Sequence, residues 1–142
     1  MAAQIKIKNL TEGYQSIISN GKHTIVGDEP ISSKGTDLGL SPTELVLSGL
    51  AMCKVTTVRF IARKNGWEIG EVNAYLEQEV KRQPSGMNTN VKIKLSIDGD
   101  LTEEQINELI KQADNCYIHR MLNGEWDIEQ AEYINEELVL NN

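Results

Sequence analysis

The sequence predicts an α+β fold with a mostly antiparallel sheet, on three observations. Val91-Lys92-Ile93-Lys94-Leu95-Ser96-Ile97 alternates apolar and polar residues with period two, the pattern of a half-buried strand. Leu45 to Val58 is almost wholly apolar or small, with Lys54 its one charge, which reads as a buried helix. The predicted order is three strands, a long helix, two long strands, a helix, a short helix and a strand. That order lacks the regular strand–helix alternation of a doubly wound sheet.

The elements follow in turn. Ile5, Ile7 and Leu10 among Lys6 and Lys8 suggest a short, half-exposed strand ended by Gly13. Tyr14–Ser19 and Lys22–Val26 are joined by Asn20-Gly21, the signature of a two-residue hairpin turn. Residues 27–40 hold three glycines and a proline and read as a long loop, a length that favours a functional or mobile segment. Ser41-Pro42-Thr43-Glu44 then starts the long helix. Ser41 can cap it, Pro42 has its φ already set, and Glu44 can close a capping box. This helix is expected to run to Lys64 or Asn65 and stop at Gly66, with Arg59, Arg63 and Lys64 in its last turns.

Ile69, Val72, Ala74 and Leu76 mark a strand within Glu68–Val80. A turn at Pro84-Ser85-Gly86 leads to the second long strand. Thr102-Glu103-Glu104-Gln105 is a second capping box, before a helix face of Ile106, Leu109, Ile110 and Ala113. Residues 116–122 read as a short helix after a break, and Ala131–Leu140 as a final acidic strand. Trp67 and Trp126 are expected as packing anchors.

A chain of 142 residues suits one domain, here 1–142. Its net charge of −7, with no basic cluster, argues against nucleic acid or an anionic membrane as partner. No apolar run is read as approaching the roughly 20 residues that span a bilayer. The opening Met-Ala-Ala-Gln-Ile-Lys has no apolar signal region, so a cytoplasmic protein is expected. The long helix is too apolar to be covered by one small sheet, which predicts a homodimer.

Two cysteines are the residues with chemistry to offer. Cys53 lies mid-helix, where a thiol can equally be a small packing group. Its helical neighbours Gly49, Leu50, Thr56 and Thr57 include no cation, so an activating charge must come from another segment or chain. Thr56 or Thr57 could give it a hydrogen bond. Cys116 precedes His119 by three residues. A helix would bring the two together as a Cys–His pair, but an exposed helix-end histidine is the favoured expectation. Cys53, Cys116, His23 and His119 lack paired zinc-ligand spacing, so no metal or other cofactor is expected.

The stretch from Gly39 to Cys53, with Ser41-Pro42-Thr43-Glu44 leading an apolar helix to a cysteine, resembles the OsmC/Ohr family. Ile97–Thr102 and Ala113-Asp114-Asn115-Cys116-Tyr117-Ile118-His119-Arg120 resemble its later strand end, helix and second cysteine, and the order of elements matches across nearly the whole chain. The resemblance implies an OsmC-like fold in an intertwined homodimer. It also implies thiol-dependent reduction of organic hydroperoxides in an oxidative or osmotic stress response. Cys53 would be the peroxidatic cysteine, Cys116 the resolving one and Glu44 the acidic partner, with a dithiol as reductant. Both sulfurs would face one pocket, with Glu44 near its rim. The sequence departs from the family pattern in three ways. No arginine precedes Arg59, Thr43 stands where the peroxidases' glutamate usually does, and Tyr117 replaces a proline. The alternative is an OsmC-like protein that binds a small apolar ligand or senses redox state through its thiols.

Overall fold

A computed structural model describes residues 2–134. The described residues fall into two compact units, one formed by residues 2–46 and 128–134, the other by Leu47–Asp127.

In the first unit, strands β1 (Lys6–Asn9), β2 (Ser16–Ser19) and β3 (Thr24–Gly27) form an antiparallel sheet in sequence order. The β2–β3 connection is not the two-residue turn expected at Asn20-Gly21. Ser19 pairs with Thr24, so Asn20–His23 form the loop, with Gly21 at φ +94°. The Asn20 side-chain carbonyl accepts the Lys22 and His23 N–H groups at 2.9 and 2.7 Å. This local bond competes with the tighter turn.

Residues 27–40 are tied down through one side chain. The Asp28 carboxylate accepts N–H groups from Tyr14 (3.1 Å), Glu29 (2.7 Å), Thr36 (3.2 Å) and Leu38 (3.1 Å), and the Thr36 hydroxyl as well. The loop also contains a 3-10 turn, Ile31–Ser33. Gly39 passes so close to β3 that a Cβ there would lie 2.1 Å from the Val26 carbonyl oxygen.

Helix α1 runs from Pro42 to Lys64, and Gly66 stops it at φ +69°. Ser41 and Glu44 form the expected capping box. The Ser41 N–H donates to Glu44 Oε1 at 2.9 Å and the Glu44 N–H to Ser41 Oγ at 3.3 Å. Contrary to expectation, α1 is not buried all round. Only Leu50, Lys54, Val58 and Ala62, a stripe at intervals of four, are buried, while Met52 and Phe60 are 70% and 62% exposed. A second correction concerns its length and composition. At 23 residues, α1 is by length and composition alone long and apolar enough to cross a bilayer, contrary to the expectation that no segment approaches that length. In this chain its buried stripe instead carries a charged lysine.

In the second unit, β4 (Val72–Gln83) and β5 (Gly86–Ile97) form a long antiparallel hairpin around Pro84-Ser85. Val72, Ala74 and Leu76 lie opposite Ile97, Leu95 and Ile93, and all six are half-buried. The intervening faces pair Glu77 with Lys92 and Tyr75 with Lys94. Helix α2 (Glu103–Ala113) starts at Thr102 with the expected capping box. Its C-terminus breaks at Asp114-Asn115, and α3 (Tyr117–Asn123) follows with Cys116 as its N-cap residue. Val58, Ala62, Leu109 and Ala113 form the buried core, against which Trp67, Ile69, Leu95 and Ile97 pack. Trp67 thus has its expected packing role, whereas Trp126 is 52% exposed. Ala131–134 carry no strand, and the rest of the expected final strand lies outside the described residues.

Candidate functional site

The second unit brings the two cysteines together. Helix α1 carries Cys53 half-buried on the flank of its buried stripe, and the α2–α3 break carries Cys116, only 2% exposed. The break matters because it frees the first N–H groups of α3 from intrahelical partners. One of them, the Ile118 N–H, donates to Cys53 Sγ at 3.4 Å. The Cys53 side chain lies close enough to the Cys116 thiol to raise its pKa, and both are free rather than joined as a disulfide.

Burial pushes the Cys116 thiol above its ordinary pKa, because a thiolate there loses its water. The His119 backbone N–H acts in the opposite direction, the Cys53 side chain raises the value further, and the Lys54 charge lowers it. His119 therefore reaches Cys116 through its main chain. Its ring is turned to Lys54, so the favoured expectation of a simply exposed helix-end histidine does not hold, and the alternative Cys–His side-chain pair does not form either.

That ring meets Lys54, the residue that follows Cys53. Lys54 is fully buried, and its Nζ lies 2.9 Å from His119 Nδ1, 3.1 Å from the Ala113 carbonyl oxygen and 3.9 Å from Asp114 Oδ1. An ammonium has three protons to donate and nothing to accept with, so a protonated Lys54 uses His119 Nδ1 as acceptor. Lys54 is a cation in the same helix as Cys53, one residue on, and its charge acts on Cys116. Its legible signal was a single charge inside an otherwise apolar run, which must find a partner wherever it is buried.

Cys53 opens on a cleft of about 420 Å³ lined by Gly49, Met52, Thr56, Thr57, Phe60, Tyr117 and Ile118. Its walls are mainly apolar and aromatic. Contrary to the expectation that both sulfurs face one pocket, Cys116 is not among the lining residues. Cys53 lines it and Cys116 touches Cys53 from the buried side. Thr57 lies on the Cys53 side, but its hydroxyl donates to the Cys53 carbonyl oxygen at 2.8 Å rather than to the sulfur. Glu44 is exposed, is bonded to Ser41 at the start of α1 and is not a lining residue. The Ser41 N–H holds its carboxyl below the usual range. Arg59 is engaged elsewhere, donating from Nη1 and Nη2 to the Ile69 and Gly70 carbonyl oxygens at 3.3 and 2.7 Å.

Comparison with known proteins gives this arrangement a context. The fold is similar to that of an OsmC-like protein from Mycoplasma pneumoniae, with a TM-score of 0.70 at 21% identity, covering 87% of this chain and 90% of that one. An organic hydroperoxide resistance protein from Legionella pneumophila follows at 0.66 and 19%, covering 87% and 90%. The organic hydroperoxide resistance protein OhrB of Bacillus subtilis gives 0.64 and 18%, covering 87% and 92%. No curated protein matches the chain in sequence. The family described as OsmC-like protein matches residues 35–130. That stretch takes in all of α1, both cysteines and the buried Lys54, and the chain belongs to the OsmC-like protein family.

Proposed function

We propose that the protein is a thiol-dependent peroxidase that reduces organic hydroperoxides through Cys53 and Cys116, in an oxidative or osmotic stress response. The observation that carries this reading is the contact between two free thiols from distant parts of the sequence, one of them opening on an apolar cleft. In the first step the Cys53 thiolate attacks the distal oxygen of the peroxide. An S–O bond forms, the O–O bond breaks, and the alkoxide leaves as an alcohol after taking a proton. The sulfur is now a sulfenic acid. The Ile118 N–H, already on Cys53 Sγ, stabilises the negative charge before attack. Cys116 then condenses with the sulfenic acid to a disulfide, and a dithiol reductant restores both thiols by exchange. An apolar cleft favours an alkyl peroxide over hydrogen peroxide. Glu44 is the proposed acidic partner of this site by family resemblance alone.

The second reading is a small apolar ligand held in the same cleft, with the thiols as a redox sensor. It is favoured by the aromatic walls contributed by Phe60 and Tyr117. We further propose that the protein works as a cytoplasmic homodimer, because Met52, Phe60 and Tyr117 are large apolar groups left exposed in one chain.

Steady-state assays decide between the two readings. With dithiothreitol or dihydrolipoamide, the wild-type protein should consume cumene hydroperoxide faster than hydrogen peroxide. Cys53→Ser should abolish consumption, and Cys116→Ser should complete one turnover and stall. No consumption by the wild-type protein rejects the peroxidase and leaves the ligand-binding reading.

A further inference from the structure

The buried Lys54 serves no packing need that Leu or Met would not meet at lower cost. A buried charge is stabilising only where partners meet it closely. Here the partners flank Cys116. Nζ bonds the Ala113 carbonyl oxygen three residues before it and the His119 ring three residues after it. Asp114 is near but 72% exposed, so its charge is largely screened by water. The same turn delivers the Ile118 N–H to Cys53 Sγ. A single ammonium therefore ties together both ends of the turn that carries Cys116, and it does so from the residue beside Cys53.

We propose that Lys54 is the positioning residue of the thiol pair: its buried ammonium holds the Cys116 turn against Cys53 and supplies the counter-charge of the Cys116 thiolate. The step it serves is condensation, and in that respect the inference rests on the redox reading. The Cys116 thiolate attacks the Cys53 sulfur, the S–S bond forms and the S–O bond breaks. Hydroxide departs and takes up the proton that Cys116 released, leaving as water. The step needs a thiolate at a position where burial opposes one, and Lys54 lowers that cost. The titratable side chains that bear on Cys116 are Cys53 and Lys54 from α1, while the His119 ring and Asp114 meet Lys54 instead.

The test reads Cys116 directly. In a Cys53→Ser background Cys116 is the only cysteine, and the Cβ shift of ¹³C-labelled cysteine follows its ionisation. Replacing Lys54 by Met should raise the midpoint by about one unit or more, the usual effect of losing an adjacent opposite charge. Lys54→Gln, which retains an N–H donor without the charge, should do the same and stands in if the Met variant does not fold. An unmoved midpoint in a folded variant overturns the proposal. In the two-cysteine protein, Lys54→Met should slow disulfide formation about tenfold relative to sulfenic acid formation at neutral pH. Equal condensation rates would also overturn it. Should the wild-type protein form no sulfenic acid, the redox reading fails, while the Cβ titration still decides the role of Lys54.

Discussion

Two ionisable residues give this chain opposite responses to pH. The Asp28 carboxylate is held down to about 2 from 3.8, first by the Thr36 hydroxyl and then by the surrounding N–H groups. Its stabilising contribution is complete above the unfolded value and is lost as pH falls through the folded one. The melting temperature should therefore drop between about pH 4 and 2. Asp28→Asn, which lacks the charge, should be less stable at neutral pH and flatter through that range; an unchanged acid limb would contradict the role of Asp28. Cys116 works in reverse. Its pKa is raised from 9.0, so the stability it contributes is present at neutral pH and is lost as pH rises through the folded value. Denaturant midpoints of the reduced protein should fall above about pH 9, and less so in Cys116→Ala. Neither behaviour was legible in the sequence. Asp28 is an ordinary loop aspartate until its five donors gather around it. The burial of Cys116 depends on a helix break whose exact position the pattern only suggests. Cys53 and Cys116 were legible as candidates, but their contact rests on tertiary structure. Lys54 was visible as an anomaly and became interpretable only when its partners were placed.

Helices and strands were read more easily than their connections. The α1 and α2 capping boxes lie where Ser41–Glu44 and Thr102–Gln105 predicted them, because capping is local chemistry written in three or four residues. Removing the α2 cap with Thr102→Ala should cost about 1 kcal/mol in urea unfolding. The β4–β5 alternation was equally direct, since a period of two places Val72, Ala74, Leu76 and their partners on one face. The Asn20–His23 loop was misjudged because Asn20 bonds two later N–H groups instead of closing a two-residue turn. The burial of α1 was overestimated for another reason. Apolar composition shows that a helix wants cover on every side, but one chain supplies it only along the Leu50–Lys54–Val58–Ala62 stripe. Leu109, fully buried between that stripe and the hairpin-packed core, should cost about 2–5 kcal/mol when cut to Ala.

At the scale of the whole molecule, membership of the OsmC-like family fixes the fold, while the chemistry depends on what this chain places at its own site. The exposed Met52, Phe60 and Tyr117 give the assembly proposal its test: sedimentation equilibrium at low micromolar concentration should show a dimer, and a stable 15.9 kDa monomer would reject it. The central claim is that Cys53 and Cys116 act as one redox pair, and mass spectrometry after a single equivalent of cumene hydroperoxide tests it most directly. The reduced wild-type protein should lose two hydrogens, yield a peptide cross-linked between Cys53 and Cys116, and regain both free thiols on treatment with a dithiol. Recovery of Cys53 as an unmodified, alkylatable thiol after the same exposure would contradict the account.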